Sequence, residues 1–182
     1  MSFSDLAARY ATSLLTFSPI LLASTTALAL IALRPARLRS ERAWRWFTWT
    51  FVLLAIVWAA ALSWIGDDAF ISFRYARNLA EGHGLVFNVG ERVEGYTNFL
   101  WTMLFAPLIK LGLDPARASV IISIACYLGV IGLTWRVLPT GDRPADASPL
   151  APLVLAASYV FASYATSGLE TMFGTLLVVG AF

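Results

Sequence analysis

Thiols and imidazoles are almost missing from this sequence. One cysteine, Cys126, and one histidine, His83, exclude a disulfide framework and a Cys/His metal cluster. Cys126 sits in an apolar stretch, where helix packing is its expected use. Charge is also scarce: Asp, Glu, Lys and Arg make up 13% of the 182 residues, about half the share of an ordinary soluble domain. No internal repeat, low-complexity tract or flexible linker marks a second domain. The net charge of +2 forms no basic patch, because the arginines gather at one boundary of the apolar segments, so nucleic acid is excluded as a partner. What remains is apolar. With 59% hydrophobic residues and a mean hydropathy of +0.72, the expected fold class is all-α, a polytopic transmembrane helix bundle with membrane lipid as its main solvent.

Spans are expected at about 10–33, 46–65, 119–138, 150–164 and 171–182. The first is too long for a secretory signal and is followed by arginines rather than by a polar mature domain. The segment Phe99 to Leu113 is apolar but short, and it contains Pro107 and Lys110, so an interfacial or re-entrant helix is expected there. Arg34, Arg37, Arg39, Arg42 and Arg45 lie between the first two spans and set that side as cytoplasmic; Arg136 and Arg143 bring the chain back to it. Trp44, Trp46 and Trp49 at one end of the second span and Trp64 at the other fit interfacial anchoring. Residues 66–98 are then extracytoplasmic. The sequence stops at Phe182 inside an apolar run, so residues 1–182 are expected to be the N-terminal part of a longer transmembrane domain.

The polar centre of the chain is that outer loop. Asp68 is expected to cap a helix that ends near Glu81, where Gly82 and Gly84 stop it. Phe73, Ala76, Leu79 and Ala80 share one face of this helix and Arg74, Arg77, Asn78 and Glu81 the other, as for a helix lying along a membrane surface. Leu85 to Asn88 and Arg92 to Tyr96 flank a turn at Val89-Gly90 and are expected to pair as a hairpin.

Three groups in this pattern carry chemistry. Asp67 and Asp68 are adjacent carboxylates at the outer end of a span, a place suited to a general base; the plain alternative is a helix cap with a solvated neighbour. Asp67 is the better base of the two if Asp68 is occupied by backbone N–H groups as a cap. Glu170 follows Gly168 at a break between two spans on the same side, where a carboxylate needs water or a partner; its alternative is a polar helix start. Arg74 and Arg77, three residues apart, suit a phosphate at the bilayer surface, against pairing of Arg77 with Glu81 or contact with lipid headgroups. His83 has no second histidine with which to form a cluster.

The run Asp67-Asp68-Ala69-Phe70-Ile71-Ser72-Phe73-Arg74-Tyr75-Ala76-Arg77-Asn78-Leu79, followed by Gly82-His83-Gly84-Leu85-Val86-Phe87-Asn88 and Gly90-Glu91-Arg92-Val93-Glu94-Gly95-Tyr96-Thr97-Asn98, resembles the first outer loop of GT-C membrane glycosyltransferases. It looks most like the arabinofuranosyltransferases that finish cell-wall arabinan. Ala165-Thr166-Ser167-Gly168-Leu169-Glu170-Thr171 resembles a second signature of the same branch.

The resemblance covers about Trp46 to Phe182. It implies an inverting enzyme of the bacterial plasma membrane that works on the extracytoplasmic side with a polyprenyl-phosphate-linked sugar and a cell-envelope glycan acceptor. It implies Asp67, with Asp68 beside it, as base, and Glu170 as the second acid. Two departures stand out: other GT-C branches carry aspartate where this chain has Glu170, and a His-Pro-Pro run near Thr97 to Phe99. The sequence requires no cofactor. Negative charge on the leaving phosphate would meet Arg74 and Arg77 or a divalent Mg or Mn ion held by Asp68 or Glu170. Two other classes compete with an enzyme. A transporter would use acidic residues as ion or proton sites, yet both acidic sites fall at one surface. A non-catalytic scaffold would bind a partner through the outer loop without turnover.

Overall fold

The computed structural model describes residues 41–137 and 150–181. The expected span at 10–33, Arg34, Arg37 and Arg39, and the basic turn with Arg143 lie outside them. Among the described residues the regular structure is helical throughout, as the composition predicts. The helices are α1 (Glu41–Ala61), α2 (Asp67–Ala80), α3 (Phe99–Lys110), α4 (Pro115–Val137), α5 (Leu150–Ala157), α6 (Tyr159–Tyr164) and α7 (Thr171–Gly180).

Two apolar clusters organise them. In the first, Phe51, Ala55, Trp58 and Ala59 recur along α1 at helical spacing and pack with Cys126, Tyr127 and Ile131 of α4, Leu153 and Ala156 of α5, and Met172 of α7. Tyr127 also donates its phenol to the Ala156 carbonyl at 3.1 Å, tying α4 to α5. The opposite face of α1, with Trp46, Trp49, Leu53 and Val57, is apolar too and stands exposed. In the second cluster, Ala69, Phe73 and Ala76 of α2 meet Trp101, Phe105 and Ala106 of α3. An edge-to-face ring contact of 5.1 Å between Phe73 and Phe105 joins the two helices, and Trp101 packs edge-on to Phe105 at 4.9 Å within α3. The apolar face predicted for α2 is therefore buried against α3.

Glycines terminate these helices for a backbone reason. Gly82 follows α2 at φ +86°, and the His83 and Gly82 amides donate to the Asn78 and Leu79 carbonyls at 2.9 and 3.1 Å. Gly112 ends α3 in the same way. At its start, α4 uses Asp114, whose carboxylate accepts from the Arg117 amide at 3.3 Å, and then Pro115, which has no N–H to leave unpaired.

Three expectations change. Residues 85–96 form no hairpin: a turn closes from the Glu91 amide to the Asn88 carbonyl at 3.1 Å, but the flanking carbonyls bond to side chains of α2 instead of to each other. The segment 150–164 is not one helix, since it breaks at Ser158, whose hydroxyl accepts from the Phe161 amide at 3.4 Å and caps α6. Asp68 is not a cap: α2 begins at Asp67 after Gly66, and no side chain caps it. One helix among the described residues, over Pro115–Thr134, is long and apolar enough to cross a membrane; Trp49–Ala61, Phe99–Lys110 and Thr171–Gly180 are shorter apolar helices.

Candidate active site

Gly66 is the hinge on which the site is built. Gly66, just before α2, is extended, and its amide donates to the Ser167 carbonyl at 2.9 Å. That bond sets the first turn of α2, with Asp67 and Asp68, against the Ser167-Gly168-Leu169-Glu170 loop. Two tryptophans strengthen the junction: Trp64 donates to the Ser163 carbonyl and buried Trp101 to the Gly168 carbonyl, both at 3.1 Å. Gly168 has φ +78°, and a β-carbon there would lie 3.1 Å from Ala69 Cβ and 3.2 Å from Ile65 Cγ2. Only glycine fits both the backbone and the space.

Both aspartates are exposed and both lie in the first turn of α2, where the helix dipole favours negative charge. They face different ways. Asp68 precedes Ser72 by one turn and shares its face, whereas Asp67 is rotated about 140° from Ser72 and lies over Phe70 and Arg74. Ser72 belongs to a polar network inside the second cluster: its hydroxyl donates to Asn98 Oδ1 at 3.0 Å, as does Thr102 at 3.1 Å, and Asn98 Nδ2 donates to Glu170 Oε2 at 2.8 Å. The structure thus brings together Asp67, Asp68 and Glu170 at the level of their segments, with Asp68 on the side of the network.

The arginines separate. Arg74 Nε donates to the Phe87 carbonyl and Nη2 to Asn88 Oδ1, both at 2.8 Å, and the guanidinium lies 4.3 Å from the Phe87 ring centroid. It organises the outer loop. Asn78 Nδ2 donates to the Val86 carbonyl at 2.8 Å, and Tyr75 donates to the Val93 carbonyl at 2.8 Å while accepting from the Gly95 amide at 2.9 Å. Tyr96 packs edge-on to Tyr75 at 4.7 Å; burial, then the Glu94 carboxylate and Tyr75, push its phenol up from the usual tyrosine range. Arg77 is exposed and makes no side-chain hydrogen bond or ion pair among the described residues; Glu81 lies 3.5 Å from His83 instead.

No three His, Cys, Asp or Glu side chains among the described residues come together as a metal cluster. Asp67, Asp68 and Glu170 are therefore not a protein-only cage, although a hard divalent ion commonly takes one or two carboxylates and completes its shell with substrate phosphate.

Sequence reasoning passed over Asn98, Ser72, Thr102 and Trp101. The signal for the hydroxyls was present: Ser72 lies in the apolar stripe Ala69-Phe73-Ala76 and Thr102 beside Trp101-Phe105-Ala106, and a buried hydroxyl on such a stripe needs a partner. That the partner is Asn98 depends on how α2 meets α3.

Over 135 residues the chain is 35% identical to a terminal beta-(1->2)-arabinofuranosyltransferase of Mycobacterium tuberculosis, a match covering 69% of this chain. This chain is a relative of the terminal arabinofuranosyltransferases. A second protein of that description, from Corynebacterium glutamicum, is 58% identical over 38 residues, 21% of this chain and 6% of the relative. The chain spans about a fifth of the mycobacterial arabinofuranosyltransferase, the match covering 22% of it. No family model and no solved structure matches the chain.

Proposed function

We propose that the intact protein is a multi-pass membrane glycosyltransferase of the GT-C type that moves arabinofuranose from a polyprenyl-phosphate donor to a cell-envelope glycan, outside the plasma membrane and with inversion. The observation that carries the reading is the junction of the two acidic segments, Asp67-Asp68 and Ser167 to Glu170, through the 2.9 Å bond from Gly66 to Ser167. Similarity to two arabinofuranosyltransferases supports the sugar class. The exposed apolar face of α1 and the apolar length of α4 support a lipid surrounding.

The chemistry then runs as a single displacement. Asp67, on the open face of α2, takes the proton of an acceptor hydroxyl as that oxygen bonds to the anomeric carbon. The bond from that carbon to the phosphate oxygen breaks on the opposite face, and the electron pair leaves with the lipid phosphate. Of the two arginines on α2, Arg77 is the one left to meet that charge, since Arg74 already holds the loop. Asp68 and Glu170 shape the field around the base; with donor phosphate they are also the residues that would hold a divalent ion.

The deciding experiment is turnover by the full-length protein of synthetic polyprenyl-phosphoryl arabinofuranose with an arabinan oligosaccharide. Transfer of the sugar, with the anomeric configuration inverted, is expected. Binding of the lipid-linked sugar without transfer would identify a scaffold and end the enzymatic reading.

A further inference from the structure

We infer that Asn98 is a positioning residue for Glu170, a role that rests on the reading of Glu170 as a site acid. Asn98 stands at the N-cap position of α3, where an asparagine side chain ordinarily accepts a hydrogen bond from a backbone N–H of the first turn; this one accepts none. It is spent elsewhere. Its Oδ1 accepts from Ser72 Oγ at 3.0 Å and Thr102 Oγ1 at 3.1 Å, and its Nδ2 donates to Glu170 Oε2 at 2.8 Å. Ser72 and Thr102 are 2% and 0% exposed, so each hydroxyl must find its partner within the protein.

The chemistry of the four groups fixes the direction of the amide. An ionised carboxylate only accepts, so the amide nitrogen has to face Glu170, and the amide oxygen is left for the two hydroxyl donors. Rotating the amide would set oxygen against oxygen at Glu170. Two helices therefore clamp one end of the side chain, Ser72 from the middle of α2 and Thr102 from the first turn of α3, while the other end grips a carboxylate at the mouth of α7. Glu170 is the N-cap residue of α7, its carbonyl accepting from the Gly174 amide at 2.8 Å, and the loop before it is held by the Ser167 carbonyl to Gly66 and by the Gly168 carbonyl to Trp101. Asn98 is thus what couples the Glu170 side chain to the α2–α3 pair, and it occupies one carboxylate oxygen while leaving the other for a ligand.

The test uses the full-length membrane protein with synthetic polyprenyl-phosphoryl arabinofuranose and an arabinan oligosaccharide. Asn98→Asp keeps an oxygen for Ser72 and Thr102 but replaces the donor to Glu170 by a second carboxylate. Its kcat should fall about tenfold or more, with donor KM within about twofold of the parent and the thermal midpoint nearly unchanged. Adding Glu170→Gln to Asn98→Asp restores an amide–carboxylate hydrogen bond with the partners exchanged. That double variant should turn over no more slowly than Glu170→Gln alone, since a residue acting through Glu170 has nothing further to lose once Glu170 is changed. Independent multiplication of the two losses would overturn the inference, as would a fall in thermal midpoint and folded yield with kcat per folded molecule intact. Normal turnover by Asn98→Asp beside an impaired Glu170→Gln would remove the role of Asn98 and leave Glu170 standing. Normal turnover by Glu170→Gln would remove both.

Discussion

At the scale of single residues, the first turn of α2 divides two adjacent carboxylates by direction instead of by capping. Neither Asp67 nor Asp68 caps the helix, so the distinction expected from backbone N–H bonds to Asp68 does not arise. Helical register supplies another: Asp67 shares the face of exposed Phe70, and Asp68 the face of Ser72, which bonds to Asn98. Asp67→Asn should lower turnover about a hundredfold or more while donor binding survives, the usual contribution of general base catalysis. Asp68→Asn should cost less; inactive but folded Asp68→Asn beside near-normal Asp67→Asn would exchange the two roles. The arginines divide as well. Arg77→Gln should raise the donor concentration for half-maximal rate about tenfold, in line with loss of one charge-assisted hydrogen bond, and leave thermal stability alone. Arg74→Gln should do the reverse, loosening the loop at Phe87 and Asn88, which hydrogen exchange of that segment would register.

Among the elements, the short loop before α7 has the least freedom. Gly168 combines a positive φ of +78° with neighbours at 3.1 and 3.2 Å from the place of a β-carbon, so Gly168→Ala must strain the backbone and push the loop off Ile65 and Ala69. Gly82 makes a useful contrast, because at φ +86° it has nothing within 4 Å. Gly82→Ala should destabilise by about 1–2 kcal/mol, the backbone cost alone, with normal turnover. Gly168→Ala should exceed that in chemical or thermal unfolding and lose turnover in addition. Equal effects of the two alanines would mean that the approach of the loop to α2 does not matter to the site. The outer loop follows a different rule. Its alternating residues suggest strands, yet Arg74, Tyr75 and Asn78 of α2 take the carbonyls that a hairpin would have paired.

For the whole molecule the proposed membrane topology makes a prediction of its own. The distribution of arginines predicts that residues 66–98 face outward and that Arg42 and Arg45 lie on the cytoplasmic side. Cysteine labelling in intact cells, on a background with Cys126 replaced, tests this. The probe belongs at exposed Val89 and not at Gly90, whose φ of +94° disfavours a side chain. Modification before permeabilisation is expected. Labelling only after permeabilisation would reverse the orientation and put the acidic junction out of reach of an extracytoplasmic donor.

Hydropathy and periodicity made the all-helical class, the apolar face of α2 and its stop at Gly82 legible in the sequence, since each depends on residues within a turn or two of one another, but not that this face packs on α3 instead of lying along a membrane surface. Two motifs far apart in the chain also pointed to the arabinofuranosyltransferases, a relation borne out over 135 residues. Only the tertiary structure decided that Gly66 bonds to Ser167, that Arg74 serves the loop and that Asn98 reaches Glu170. The physical reason is common to all three. A hydrogen bond is chosen by which donor and acceptor are left unpaired when elements distant in sequence pack together, and local pattern holds no record of that crossing angle.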